Sequence, residues 1–251
     1  MTPRRVPCNL WLAIIAKWVK TTWSPRGCDP GGFAFLAHSM PNRVVFLVDG
    51  FNLYHSLRSA ERLLRKPTRW LDLRALCDSY LYILGGGATL DAVYSFSAYA
   101  HHREAVSPGT VRRHQAYVAA IASTGVIPQL GQFKCKDLRC PSCGSGVRRY
   151  EEKETDVAVA AKLLELVVTG ACDTAVIVSG DTDLIPAIRT ARRLRPDKKL
   201  CVAFPHGRAN DAFRGEAHMC FKIRATQYAR FQLPDPVVLP DGQTITKPAS
   251  W

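Results

Sequence analysis

The 251-residue chain has no apolar run long enough to cross a bilayer. The nearest approach lies in "MTPRRVPCNLWLAIIAKWVK", where Lys17 breaks the run and no clean small-residue cleavage site follows. No membrane partner is expected, and an export signal is the less favoured reading of this segment. Internal repeats are absent too. Acidic residues are scarce, 21 against 34 lysines and arginines, which leaves a net charge of +13 and a pI near 9.5. That balance favours a polyanionic partner, because phosphate contacts release counterions, although solubility alone would also be served by it. The nine cysteines are odd in number, and several sit inside apolar runs ("KKLCVAF", "GACDTAVIV"), so they are not a disulfide framework. They point to a reducing, cytoplasmic setting.

What is present is the material of a globular domain: 47% hydrophobic and 22% charged residues, enough to bury a sizeable core. Met40 stands just before "PNRVVFLVDGFN", where a strand begins. Residues 1–39 are therefore read as a disordered extension or a misassigned gene start. The domain is expected over 40–233, with a cysteine-bearing insertion at 134–150. After Leu233, four prolines and little periodicity predict an extended, loosely packed tail over 234–251.

Strand and helix signals alternate along the domain. "VVFLVDG" is a continuous apolar run ending at Asp-Gly, as in a strand buried on both faces. Helical spacing follows in "FNLYHSLRSAERLLR" and "LDLRALCDSYLYIL", then a strand in "LDAVYSFSAYA". "SPGTVRRHQAYVAAIASTG" reads as a helix, with Ser107 or Thr110 near its N-cap. "VIPQLGQF" reads as a short strand leading into a cysteine-bearing loop. "EEKETDVAVAAKLLELVVTG" is apolar nearly all round and should be a buried helix. "TAVIVSG", "DTDLIPAIRTARRL" and "KLCVAFP" complete a strand–helix–strand series. The order predicts an α/β fold, three layers α/β/α about a central, mainly parallel sheet.

Ligands of open α/β sheets bind beyond the carboxyl ends of the strands. That rule gathers Asp49, at the end of the first strand, with Asp181 and Asp183 at the end of a later one. Asp156 opens the apolar helix, and Asn52 adds a neutral oxygen just after Asp49. Taken singly, each acid has an ordinary explanation as a turn or helix cap. Four carboxylates at one edge repel one another unless cations lie among them. Oxygen donors without histidine suit Mg²⁺ or Mn²⁺, ions able to activate water and offset charge on a scissile phosphate.

These segments also carry a likeness. "FLVDGFNLYHSL", "EEKETDVAVAAKLL" and "VIVSGDTDLIPAI" resemble, in order, the three signature segments of the NYN family in the PIN-domain-like nuclease superfamily, its LabA-like branch above all. The resemblance covers roughly residues 42–225. It implies a PIN-like fold and metal-dependent endonucleolytic cleavage of RNA. Asp49, Asp156, Asp181 and Asp183 fall on the family's metal-binding acids, Asn52 on its strand-one asparagine, and Ser179 on the serine before Gly-Asp. Two other readings stay open: a non-catalytic RNA-binding or regulatory module, and a small-molecule phosphohydrolase.

"KCKDLRCPSCGSGVRRYEEK" holds half a zinc knuckle, Cys140 and Cys143, with Cys135 as a third ligand. A closed Zn²⁺ site would need a fourth donor from His101, His102 or His114. Arg112, Arg113, Lys134, Lys136, Arg148, Arg149 and Arg208 are the candidates for RNA phosphates. Arg189, Arg192, Arg193 and Arg195 read as a solvated helix face, and Glu216 and His218 receive no role. The sequence leaves a homodimer open.

Overall fold

The computed structural model describes residues 41–139, 142–143 and 146–251. The extension 1–39 lies outside the described residues. β1 (Asn42–Asp49) runs into α1 (Gly50–Leu64), then α2 (Leu73–Asp78), β2 (Ala88–Ala98) and α3 (Thr110–Ser123). β3 (Val126–Arg139), β4 (Gly146–Lys153), α4 (Thr155–Thr169), β5 (Thr174–Val178), α5 (Ile185–Leu194) and β6 (Lys199–Phe204) follow. β7 (Met219–Lys222), α6 (Ala225–Arg230), β8 (Val237–Val238) and β9 (Thr244–Ile245) close the chain. Seven strands form one sheet in the order β4-β3-β2-β1-β5-β6-β7, parallel throughout except that β4 runs against β3.

The apolar run of β1 explains its central place, since alternate side chains enter opposite cores. Val44, Phe46 and Val48 pack with Leu53 and Leu57 of α1, Leu76 of α2, Ile121 of α3 and Tyr228 of α6. Val45 and Leu47 pack with Val159 and Leu163 of α4 and Ile188 and Ala191 of α5. The three expected layers are present. Each large apolar side chain so buried contributes about 1.5–3 kcal/mol.

Several local expectations change. The second helix breaks after Asp78, where the Ser79 hydroxyl donates to the Leu76 carbonyl (2.6 Å) and a 3-10 turn over 81–84 follows. Neither Ser107 nor Thr110 caps α3. The Glu104 carboxylate accepts the Gly109 and Val111 amides, while the Thr110 hydroxyl turns back to the Ser107 carbonyl. α4 is not buried all round: it covers one sheet face as an outer layer, leaving Val157 72% and Val168 52% exposed. The cysteine segment is no loop. β3 continues to Arg139 and returns as β4, a hairpin extending beyond the β2 edge. The tail is extended but held: β8 pairs with β9, Val237 joins the core, and Trp251 packs edge-on to Trp70.

Candidate functional site

β1 and β5 are parallel neighbours with Val48 opposite Val178, so Asp49 and Ser179 emerge side by side at the carboxyl edge. A short chain of hydrogen bonds joins them. The buried Ser179 hydroxyl donates to Asp49 Oδ2 (2.8 Å), and its oxygen accepts the Asp181 amide (3.0 Å). Asn52 Oδ1 accepts the Gly180 amide (3.3 Å), tying the β5 loop to the first turn of α1. Both aspartates are also caps. Asp49 Oδ1 takes the Phe51 and Asn52 amides (3.0 and 2.9 Å), and Asp181 Oδ1 takes that of Asp183 (3.1 Å). The ordinary capping explanation and the cluster thus hold together, because each carboxylate commits one oxygen to its helix or turn.

Burial raises the carboxyl pKa of Asp49, and the Asp181 charge adds to this. The Asn52, Ser179 and Phe51 donors pull the other way. Asp156, on the first turn of α4, is also raised, by desolvation first and then by the charges of Asp49, Asp181 and Asp183. The fold thus brings all four sequence-predicted acids within electrostatic reach of one another. Among the described residues, however, no three or more His, Cys, Asp or Glu side chains already form a metal-holding set. The donors fit a hard divalent cation by chemistry, four carboxylates drawn to one sheet edge, but as an open acidic mouth rather than a closed cage.

The other candidates separate. Arg113 is engaged by its own loop, donating to the Pro108 carbonyl (2.9 Å) and the Thr110 hydroxyl (3.0 Å). Lys134 pairs with Glu154 and Arg148 with Asp137. Arg112 and Lys136 are exposed, and the side chain of Arg149 lies outside the described residues. The zinc set does not assemble among the described residues. Cys135 sits on the ladder opposite Tyr150, four residues before the strand ends at Arg139, about 13 Å along at ~3.3 Å per residue, whereas Cys143 lies in the connecting turn. Cys140 lies outside the described residues. Nor do the histidines join them: His102 stacks on Tyr150 (4.5 Å, 9°) and touches Phe133 (4.7 Å).

Two clefts flank the acids. One, of about 300 Å³, is lined by Tyr99, His101, His102, Gln132, Phe133 and Tyr150. Phe51, from the first turn of α1, meets Phe133 at 6.1 Å and so links this aromatic set to the Asp49 loop. Sequence reading missed it because its members are spread over some 50 residues, and only the β2–β3 and β3–β4 pairings unite them. The other, of about 290 Å³, lies beside Arg208 and includes His55, Arg58, Arg62 and His206. Glu216 and His218 prove structural: Glu216 forms a two-pronged pair with Arg189 (2.8 and 2.6 Å), and His218 Nδ1 accepts the Leu200 amide (3.0 Å).

A three-layer α/β/α domain with an acidic carboxyl edge defines a nuclease-like architecture. The NYN domain model matches residues 43–223, and the chain belongs to that family. It is also similar to the 6-hydroxy-3-succinoylpyridine 3-monooxygenase HspA of Pseudomonas putida, 24% identical over 253 residues, covering 85% of this chain and 76% of that one. A crystal structure of a protein of unknown function from Vibrio parahaemolyticus aligns at TM-score 0.46 and 16% identity, over 73% of this chain and 94% of the other. Among the described residues, no helix is long and apolar enough to cross a membrane.

Proposed function

We propose that this protein is a metal-dependent endoribonuclease of the LabA-like branch, hydrolysing RNA phosphodiester bonds in the cytoplasm. The observation that carries the reading is the Asp49–Ser179–Asp181 hydrogen-bond chain with Asp156 coupled electrostatically to it. Asp49, Asp181, Asp183 and Asp156 would hold Mg²⁺ or Mn²⁺, which when bound supplies activation of water and neutralises charge at the scissile phosphate. The remaining work belongs to the chain. Ser179 fixes the free oxygen of Asp49, and Asn52 fixes the Gly180 backbone, so the donors are oriented before any ligand arrives. Lys136 and Arg112, exposed and outside any ion pair with described residues, can reach the RNA backbone. Asp181→Asn keeps an acceptor for the Asp183 amide while removing one charge. It should abolish Mn²⁺-dependent cleavage of single-stranded RNA without lowering the melting temperature. Undiminished cleavage by that variant would falsify the assignment.

A second reading draws on the aromatic cleft, whose stacked His102 and Tyr150 suit a heteroaromatic ring as well as a nucleobase. The Pseudomonas relative is named for its action on a pyridine. Binding of a hydroxypyridine to the wild-type protein in preference to RNA, with no cleavage of RNA, would favour this reading over the first.

A further inference from the structure

The cleft beside Arg208 is as basic as the neighbouring mouth is acidic. Its lining includes the guanidinium groups of Arg58, Arg62 and Arg208 and the imidazoles of His55 and His206, with no carboxylate among them. Several surface arginines elsewhere are ion-paired: Arg43 with Asp173, Arg69 with Glu61, Arg189 with Glu216, Arg195 with Asp197. The three cleft arginines make no ion pair with any described residue. Arg62 engages only its Nε, on the Arg58 carbonyl (3.3 Å), the residue one turn earlier on α1. Unpaired like charges held together raise one another's cost, and an anion between them removes it.

The cleft is built into the fold. The His206 amide donates to the Tyr228 hydroxyl (3.0 Å), and the Ser56 hydroxyl donates to the His206 carbonyl (2.8 Å). Ser56 and Tyr228 meet each other at 2.9 Å, and both are fully buried. The same loop is clamped to the acid site. A Cβ added at Gly180 would stand 2.0 Å from the Arg208 carbonyl oxygen, so the backbones of the Arg208 loop and the Ser179–Asp181 loop touch where only glycine fits. Burial first, then the Arg208 and Arg58 charges, push the His55 imidazole below its ordinary pKa, while Asp49 opposes them. The acid site and the basic cleft therefore share a wall.

We propose that this cleft binds a terminal phosphate of the RNA strand, seating one chain end next to the carboxylate cluster. The inference rests on the nuclease reading for its substrate class. Charge decides between a chain end and an internal linkage. A diester carries one negative charge, whereas a phosphate monoester carries about −1.5 to −2 at neutral pH, and three unpaired guanidiniums lining one cleft suit the more highly charged group. Bidentate guanidinium recognition suits its three free oxygens.

The test is fluorescence anisotropy with a 12-nucleotide single-stranded RNA ending in a 5′-phosphate, a 3′-phosphate or hydroxyls only, in EDTA so that no strand is cut. One phosphorylated form should bind at least tenfold tighter than the hydroxyl form, which also assigns the polarity of the strand. The double variant Arg58→Ala/Arg62→Ala should erase that preference while melting like the wild type, since both side chains are exposed. Equal dissociation constants for all three ends would overturn the proposal. So would a variant that weakens all three RNAs alike, because the arginines would then be part of a general backbone groove. If adenosine 5′-monophosphate bound as tightly as the phosphorylated strand, the assignment to a chain end would fall. The two readings fail separately. An end preference without Mn²⁺-dependent cleavage keeps the pocket and removes the nuclease, and cleavage without an end preference does the reverse.

Discussion

Replacing Asp156 by Asn should stabilise the metal-free protein. Asp156 feels the charges of Asp49, Asp181 and Asp183. Two like charges held about 6 Å apart at an effective dielectric constant of about 40 cost about 1.4 kcal/mol. Asp156 is exposed, so water and salt reduce this to about 0.5 kcal/mol per neighbour, or about 1.5 for three. Against that stands the interaction of a first-turn carboxylate with the α4 dipole, about 0.5 kcal/mol. Repulsion wins by about 1 kcal/mol, which for a domain of this size raises the melting temperature by about 2–4 °C. Adding Mn²⁺ should reverse the order. The wild type gains about 2.7 kcal/mol at a hundred times its dissociation constant, and the variant, short of one donor, gains less. Differential scanning fluorimetry in EDTA and in Mn²⁺ reads both halves. A variant that melts below the wild type in EDTA refutes the reasoning, because Asp156 would then serve its helix first.

Gly180→Ala should cost about 2 kcal/mol, since the added methyl meets the Arg208 backbone rather than a side chain able to move; urea denaturation measures it. Tyr228→Phe leaves the His206 amide without its acceptor and should cost about 1–3 kcal/mol, read by thermal melting. Hydrogen bonds from Arg43, then Lys198, hold the Asp173 carboxyl well below the usual range. A depressed folded pKa means that its contribution is present above the ordinary value near 4 and is lost as pH falls through the folded one. Asp173→Asn should therefore cost about 1 kcal/mol at pH 7, after discounting for partial exposure, and progressively less in acid titrations below pH ~3.

The layers and the convergence of the four aspartates were legible in the sequence because each depends on short-range pattern. A two-sided apolar run announces β1, and strand-end aspartates fall at one edge once the sheet is parallel. What escaped had other causes. β7 is four residues long with mostly exposed side chains, so no periodicity marks it. The hairpin through Lys134–Arg139 alternates charges, as a loop also does, and only its pairing with β4 makes it a strand. Arg58 and Arg62 look like any exposed turn of α1 until His206 and Arg208, some 150 residues away, close over them.

Asp49 as helix cap has an evolutionary consequence. Asparagine is as good an N-cap as aspartate, so after Asp49→Asn the new side-chain oxygen could still accept the Phe51 and Asn52 amides. Its amide nitrogen would point at the Ser179 oxygen. On the nuclease reading, one substitution would thus delete a cation donor while sparing the fold. Under the proposed function, chemistry on this scaffold would be lost without loss of structure, a single substitution separating a silent chain from an active one.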